Sequence, residues 1–447
     1  MKDLTQGNEG KTIFFFTLPI FIGNLFQQLY NIADTIIVGN FLGKECLAAV
    51  GFSFQIHYLL IALSMGISLG SSILISRYFG SKNMESVKKV VDTGFVFSIV
   101  LAVVIAIAGV CLSDKILLAF RVPVNLLEEA GIYLKIMFIG VIPTFAYNAL
   151  TNILRGIGNS KAPTYVLMVA ALLNIALDIL LIKIFHMGVA GAAVATVIAQ
   201  IFSFVVCMIY MYKYYNSLFI NVFHLQFDKN ELKNSLKIGT PAMVQQVFVS
   251  VGFMSLQFLI NGFGTDCMAA YTAASKVDAF AEMPVLNLGQ AMTNFTAQNF
   301  GAKRKDRVMK GGKYALAMGM AISVCISVVM VMFPSVFISI FNRDAEVVAI
   351  GRSYLRIVPV FYVVFAAMQI LNGLLLGYGK AFVPMIASIC SLCCLQVPVA
   401  IVLSNTSLGY NGIYIATPIG WFGGLMIRFI YYAYIKRRLI YKNDSVK

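Results

Sequence analysis

Apolar positions run along this chain in long blocks, broken by short polar stretches. A block such as TIFFFTLPIFIGNLF has no two-residue alternation. A helix needs about 20 apolar residues to cross the ~30 Å hydrocarbon core of a bilayer. Twelve such blocks can be placed: about 13–39, 46–76, 90–112, 130–154, 162–184, 189–212, 238–262, 267–299, 311–334, 349–376, 381–404 and 410–434. A membrane barrel would alternate instead. The expected fold is an all-α integral membrane protein with twelve transmembrane helices.

Composition agrees. Of 447 residues, 60% are hydrophobic and 12% charged, with a mean hydropathy of +0.84. Soluble domains carry roughly 25% charged residues. The start, MKDLTQGNEGKTI, is polar and has no small-residue cleavage site, so no cleaved signal peptide is expected. Eight cysteines lie mostly in apolar runs, where packing outweighs redox or metal chemistry even for the C-x-x-C within CSLCC. His57, His186 and His224 show no ligand spacing.

A net charge of +15 raises the question of nucleic acid, and its distribution answers it. One set of span ends holds 24 Lys and Arg, the other only Lys44, Lys115, Arg121, Lys183 and Arg343. By the positive-inside rule the richer set is cytoplasmic. Both termini then lie inside, which an even number of spans requires. The basic charge is topological and also meets anionic lipid headgroups. Lys135 and Arg356 sit near outer span ends, where snorkelling accounts for them.

The chain repeats itself. NFLGKECLAAV (40–50) matches NGFGTDCMAAY (261–271), RYFGSK (77–82) lies over NFGAK (299–303), and YLKI (133–136) meets YLRI (354–357). GIGNSKAP (156–163) pairs with GYGKAFVP (377–384), and GVAGAAVAT (188–196) with GYNGIYIAT (409–417). The shift stays at 221 over some 150 residues. Two homologous halves follow: an N-terminal lobe at 1–215 with spans 1–6, and a C-terminal lobe at 238–447 with spans 7–12 and a basic tail. A polar, amphipathic linker at 216–237 lies along the cytoplasmic interface. Six spans per half make the repeats parallel, so two six-helix lobes are expected about a pseudo-twofold axis along the membrane normal.

Acids inside spans are few: Asp34, Asp178, Asp278 and Glu282. Each costs at least a few kcal/mol on insertion scales, about 2.5–3.5 at a helix centre, which makes it a functional candidate. Asp34 ends a stripe of Asn24, Gln27 and Asn31, spaced so that all four share one helix face. That face looks into protein or water. A polar seam between helices would suit the amides; a structural acid would need a permanent cation, and span 1 has none nearby. In LLNIALDILL, Asn174 and Asp178 also share a face. Two carboxylates in one low-dielectric site cannot both stay ionised without a cation, so a proton or a metal ion has to neutralise one. Oxygen ligands suit H⁺ or Na⁺ and not Zn²⁺; with Na⁺, Asp34, Asn174 and Asp178 would be its ligands.

The repeat supplies a control. Asp34 maps to Ser255 and Asp178 to Val399, so the fold does not need acids there. Tyr133 and Thr196 recur as Tyr354 and Thr417, which leaves both packing and ion-lining readings open. Asp278 and Glu282, in SKVDAFAEMP, are four apart with Lys276 nearby: a substrate or second coupling role competes with a structural ion pair. Pro19 interrupts span 1, a break of the kind that marks moving helices. Absent are G-x-x-x-x-G-K-[ST], H-E-x-x-H, G-x-S-x-G and any filter-like loop, which points away from ATP hydrolysis, enzymes and channels and toward a secondary transporter.

TLPIFIGNLFQQLYNIADTIIVGNFLG, LLNIALDILL, GVAGAAVAT and AQNFGAKRKDR together resemble the multidrug and toxic compound extrusion (MATE) family, over essentially the whole chain. The resemblance implies exchange of entering H⁺ or Na⁺ for outgoing amphipathic, often cationic, compounds. It also implies one family branch, with its cation site in the first lobe: Asp34, Asn174, Asp178, Thr196 and Tyr133, and Pro19 as a bending point. The branch with second-lobe acids in spans 7 and 10 fits poorly, because span 7 offers Gln245 and Gln246 and span 10 no acid. The expectation is a monomeric plasma-membrane antiporter for multidrug efflux, with no enzymatic activity and no cofactor beyond the coupling ion. Gln27, Asn31, Asp278 and Glu282 are its substrate-cavity candidates. The competing expectation is a lipid-linked-precursor flippase of related fold, against which stands the lack of a central basic cluster among Lys135, Lys276, Arg352, Arg356 and Arg428.

Overall fold

The computed structural model describes residues 3–119, 127–221 and 224–444, without the side chains of 43–59, 62, 63 and 438–444. Lys2, Lys44, Cys46, His57, Arg121, Arg438, Lys442 and Lys447 therefore lie outside the described side chains. Every regular element among the described residues is helical. In the first half these are α1 (Glu9–Gly80), α2 (Met84–Ala119), α3 (Leu127–Gly156), α4 (Lys161–Asp178) and α5 (Gly188–Tyr214). The second half has α6 (Lys229–Asn261), α7 (Thr265–Gly301), α8 (Lys305–Met332), α9 (Pro334–Ser339), α10 (Ala345–Ile357) and α11 (Tyr362–Gly377). It closes with α12 (Phe382–Ile389), α13 (Val397–Ser404) and α14 (Tyr410–Asp444). π-helical segments follow α4 at Ile179–Ile184 and α12 at Cys390–Gln396.

Ten helical stretches among the described residues are long and apolar enough to cross a membrane. Many large apolar side chains stay exposed, Phe258 at 77% and Ile107 at 62% among them, as a lipid-facing surface requires. Two expected spans fare differently. The 267–299 span is a helix, α7, but a polar one: Asn287, Thr293, Asn294, Thr296, Gln298 and Asn299 are all buried inside the protein, so it is shielded from lipid by neighbours instead of being apolar itself. The expected loop between 39 and 46 is absent from the backbone, which stays helical from Glu9 to Gly80. Proline is missing from NFLGKECLAAV, so nothing there denies the helix an N–H donor. Contacts still show two arms. Pro19 meets Thr164 at the start of α4, Val38 clusters with Tyr133 near the start of α3, and Ser72 meets Asn152 near the end of α3, so the helical run reverses direction between residues 38 and 72.

The chain forms two compact units. The first comprises Leu18–Met243 with residues 1–3, the second Leu4–Thr17 with Val244–Lys447. The opening turns of α1 thus belong with the second unit, and the linker and the opening turns of α6 with the first. Of the linker, 229–237 already belong to α6; the described residues before it are mostly extended, with 3₁₀ geometry at Asn216–Leu218 and at His224. Lys88 Nζ donates to the Phe219 carbonyl at 2.7 Å, Gln226 N to Asp92 Oδ2 at 3.0 Å, and Asp228 N to Thr93 Oγ1 at 2.9 Å. Tyr78 donates to Glu231 Oε1 at 3.0 Å; burial, and then that carboxylate, push the phenol up to about 12, so it remains a donor at any physiological pH. Gly70 lets α1 meet α6, since a Cβ there would lie 2.2 Å from the Ser235 carbonyl oxygen.

Geometry repeats with the sequence. Positive φ angles occur at Lys82 and Lys303, at Gly158 and Gly379, and at Gly188 and Gly409, each pair at the same shift of 221. Gly156 packs against Ser72 and Ile75, and its counterpart Gly377 against Thr293 and Thr296, again in register.

Candidate functional site

The first unit gathers the sequence candidates at one place. The first arm of α1 carries Gln27, Asn31 and Asp34, all half-buried, with Asn31 Nδ2 donating to Gln28 Oε1 at 3.3 Å. The C-terminal turn of α4 carries Asn174 and Asp178, both fully buried, and α5 carries buried Thr196. The Asp34 and Asp178 carboxyl groups come within hydrogen-bonding reach of each other. Two carboxylates at that distance hold a shared proton or a cation between them. The Asn174 amide, oriented by its neighbours, donates to Asp178 Oδ2 at 3.1 Å and accepts from Thr196 N at 3.2 Å. One oxygen of each acid, Asp34 Oδ1 and Asp178 Oδ1, is buried with no hydrogen-bond partner among the described residues. No described ion pair reaches either acid. Such orphaned acceptors are what an entering cation would satisfy.

Local sequence explains the placement. Asp178 is the last residue before the π-helical segment, where the ladder widens and the helix can shift a side chain that a regular α4 would aim elsewhere. Ile37, Val38, Tyr133, Met137 and Ile182 pack into one apolar cluster that fixes α1 against α3 and the π-helical segment after α4. Thr164 Oγ1 donates to the Pro19 carbonyl at 2.8 Å, pinning the proline turn of α1 to α4.

Tyr133 stands with the pair, and so does Tyr30, which the sequence reading did not single out. Tyr30, Asn174, Thr196, Gln200 and Ser203 line a narrow recess with room for little more than a water molecule. Gln200 Oε1 is another buried acceptor without a partner among the described residues. The missed signal was spacing. Tyr30 precedes Asp34 by four and Gln200 follows Thr196 by four, so each shares a face with a residue already chosen.

The second unit carries part of the same design. Gln396 Nε2 donates to Thr417 Oγ1 at 3.2 Å, as an amide beside the repeat counterpart of Thr196. Gln396 ends the second π-helical segment, one residue past Leu395, the repeat counterpart of Asn174. No acid accompanies it. Asp278 and Glu282 lie elsewhere, on α7. Asp278 is buried and accepts from Tyr354 at 2.9 Å through Oδ2 and from Tyr362 through Oδ1. The expected ion pair with Lys276 does not form: that side chain is exposed, its Nζ 6.0 Å from the Phe341 ring centroid. Lys135 pairs with Asp114 at 2.9 Å. Arg428 is buried and donates to Ser388 Oγ at 2.7 Å, without a basic cluster around it.

Known proteins resemble this chain along its whole length. The MatE family matches at residues 19–180 and again at 241–402, once per half and within one residue of the internal register. The probable multidrug resistance protein YoeA of Bacillus subtilis is 32% identical over 95% of this chain and 93% of its own. The multidrug export protein MepA of Staphylococcus aureus is 23% identical over 83% of this chain and 82% of its own. Among solved structures, MATE in the bent conformation superposes with a TM-score of 0.93 at 25% identity over the whole of both chains. A MOP superfamily transporter from Pyrococcus furiosus gives 0.91 at 25% identity, over 98% of this chain and 99% of its own. With the expected all-helical membrane fold in place, a family match in each half and relatives matched from end to end, this chain belongs to the MatE family of multi-pass membrane transporters.

Proposed function

We propose that the protein is a secondary antiporter that exports small amphipathic, mainly cationic compounds in exchange for H⁺ or Na⁺ bound at Asp34 and Asp178. The supporting observation is the meeting of these two carboxyl groups, each with a buried oxygen left over, in a unit whose repeat counterpart keeps the amide and the threonine and lacks both acids. The relatives' names, multidrug resistance and multidrug export proteins, support the substrate class. The chain works as a monomer in the plasma membrane, with both termini cytoplasmic.

The cycle follows from linkage. Substrate binds from the cytoplasm while the pair lacks its cation; the entering ion neutralises the pair from outside, and substrate affinity falls. Ion and substrate must then oppose each other by the same factor in both directions. Asn174 orients Asp178, and Tyr30, Tyr133, Thr196 and Gln200 supply neutral oxygens around the ion. Gln27 and Asn31 continue the polar face of α1 toward substrate, and Glu282 on α7 is the second unit's own candidate for a substrate contact. Asp34→Asn and Asp178→Asn in proteoliposomes test the reading. Each should lower gradient-driven efflux of a cationic dye by about 100-fold or more, a loss equivalent to about 2.7 kcal/mol, and remove the effect of the ion on dye binding. Imposed pH and Na⁺ gradients, applied separately, identify the ion. Full-rate pumping by Asp34→Asn refutes the mechanism.

A further inference from the structure

The stretch AQNFGAKRKDR is still without a role. It ends α7 and opens α8, and its polar side chains converge on the N-terminal arm. Leu4 N donates to Gln298 Oε1 at 3.1 Å, and Asn299 Nδ2 donates to the Leu4 carbonyl at 3.1 Å. Arg304 Nη1 donates to the Thr5 carbonyl at 2.7 Å. Arg307 donates from Nη2 to the Gln6 carbonyl at 3.1 Å and from Nη1 to the Gly7 carbonyl at 2.7 Å, and pairs with Glu9 at 3.4 Å. Asn299 Oδ1 orients the guanidinium, accepting from Nε at 3.1 Å. Gln298, Asn299 and Arg307 are buried, and so are Leu4, Ile13 and Phe16 on the arm. Two arginines and two amides are thus spent on holding residues 4–9, which precede or open α1 and bear no coupling group.

The partition of the chain shows why that matters. Leu4–Thr17 belongs to the second unit and Leu18 onward to the first, so α1 passes between them two residues before Pro19. Asp34 lies on the same helix beyond that point. We infer that Gln298, Asn299, Arg304 and Arg307 form a permanent anchor for the N-terminal arm, and that Arg307 is a positioning residue for Asp34, acting through α1. With the start of the helix held, movement between the units is taken up beside Pro19, where proline removes a backbone hydrogen bond. On the first unit's side of that point, the Pro19 carbonyl accepts from Thr164 Oγ1. The arrangement is reciprocal: the end of the linker and the opening turns of α6, with Pro241, belong to the first unit, the linker tied there by Asp92 and Thr93 and α6 by Tyr78. The repeat counterpart of Arg307 is Ser86, so the arginine grip is particular to the N-terminal arm.

This inference rests on the proposed coupling role of Asp34, and its test separates the two. Spin labels at Gln6 and Lys313 in the full-length protein, in lipid nanodiscs, report the distance from arm to second unit. One narrow distribution, the same at low pH and with bound dye, is expected; a distance that changes between the two conditions overturns the anchor. Arg307→Gln should widen that distribution and lower dye efflux about tenfold, about 1.4 kcal/mol, with dye affinity within about twofold of the parent. Arg307→Lys, which keeps the charge and loses the fork, should fall between the two. Parent-like efflux by Arg307→Gln refutes the inference, whatever Asp34→Asn does. Asp34→Asn at full rate sinks the coupling reading while leaving the label distance to judge the anchor.

Discussion

Asp278 shows what a buried carboxylate needs when it is held by the fold. Both its oxygens accept from tyrosines, Tyr354 and Tyr362, inside an aromatic cluster with Tyr271, Tyr414 and Trp421. Removing a donor leaves an unpaired buried acceptor, which costs about 1–3 kcal/mol. Tyr354→Phe and Tyr362→Phe should each lower the melting temperature of the detergent-solubilised protein, while the effect of the coupling ion on dye binding persists. Loss of the ion effect in either variant would make Asp278 a second coupling acid. The contrast with Asp34 and Asp178 is in their partners: those acids keep an oxygen each that no donor among the described residues satisfies. Spacing along the chain exposed Asp34, Asn174 and Asp178, because helix periodicity and an apolar background make a lone acid stand out. The tyrosine partners of Asp278 were illegible, because they lie 76 and 84 residues away. Lys276, the basic neighbour in sequence, was a misleading partner: two residues apart on a helix do not share a face.

At the scale of elements, close helix crossings rest on glycines at matched positions. A Cβ on Gly377 would lie 2.6 Å from the Thr293 carbonyl oxygen and 2.5 Å from Thr296 Cβ; on Gly156 the nearest atoms are Ile75 Cγ2 at 2.9 Å and the Ser72 carbonyl oxygen at 3.1 Å. Gly377→Ala should therefore destabilise more than Gly156→Ala, both within the ~1–3 kcal/mol of overpacked cores, as read from thermal unfolding in detergent. Equal or inverted losses would mean that the crossing of α7 with α11 relaxes easily. Thr164→Val tests a different element, the proline turn of α1. It removes the donor to the Pro19 carbonyl and should alter efflux rate more than dye affinity. Span positions were legible from hydropathy because most helices face lipid on one side. α7 was legible as a helix, and its polar interior was not, since burial of Asn287, Gln298 and Asn299 depends on neighbours from α8 and α11. The two π-helical segments left no pattern in sequence, because a single extra residue in a turn does not disturb an apolar run.

For the whole molecule, the constant shift of 221 made the two halves readable, and it reappears in backbone angles and glycine contacts. What the shift concealed is that structural units and sequence halves differ. Each half's first helix opens in the company of the other unit, so the boundary in space falls inside α1 and inside α6. No repeat can reveal that, because both halves make the same exchange. Orientation is the remaining property of this scale. Lys and Arg favour one set of ends by 24 to 5, and the positive-inside rule predicts that set to face the cytoplasm. Gln6 lies on the basic side and Thr406, between α13 and α14, on the other, and both are exposed. In a variant whose eight native cysteines have been replaced, a thiol reagent that cannot cross the membrane should label Thr406→Cys from outside intact cells and leave Gln6→Cys unlabelled until the cells are opened. The opposite labelling would place the N-terminal arm outside. It would then put the Arg307 anchor on the face from which the coupling ion enters, where a permanently held arm would flank the ion's path instead of the substrate's.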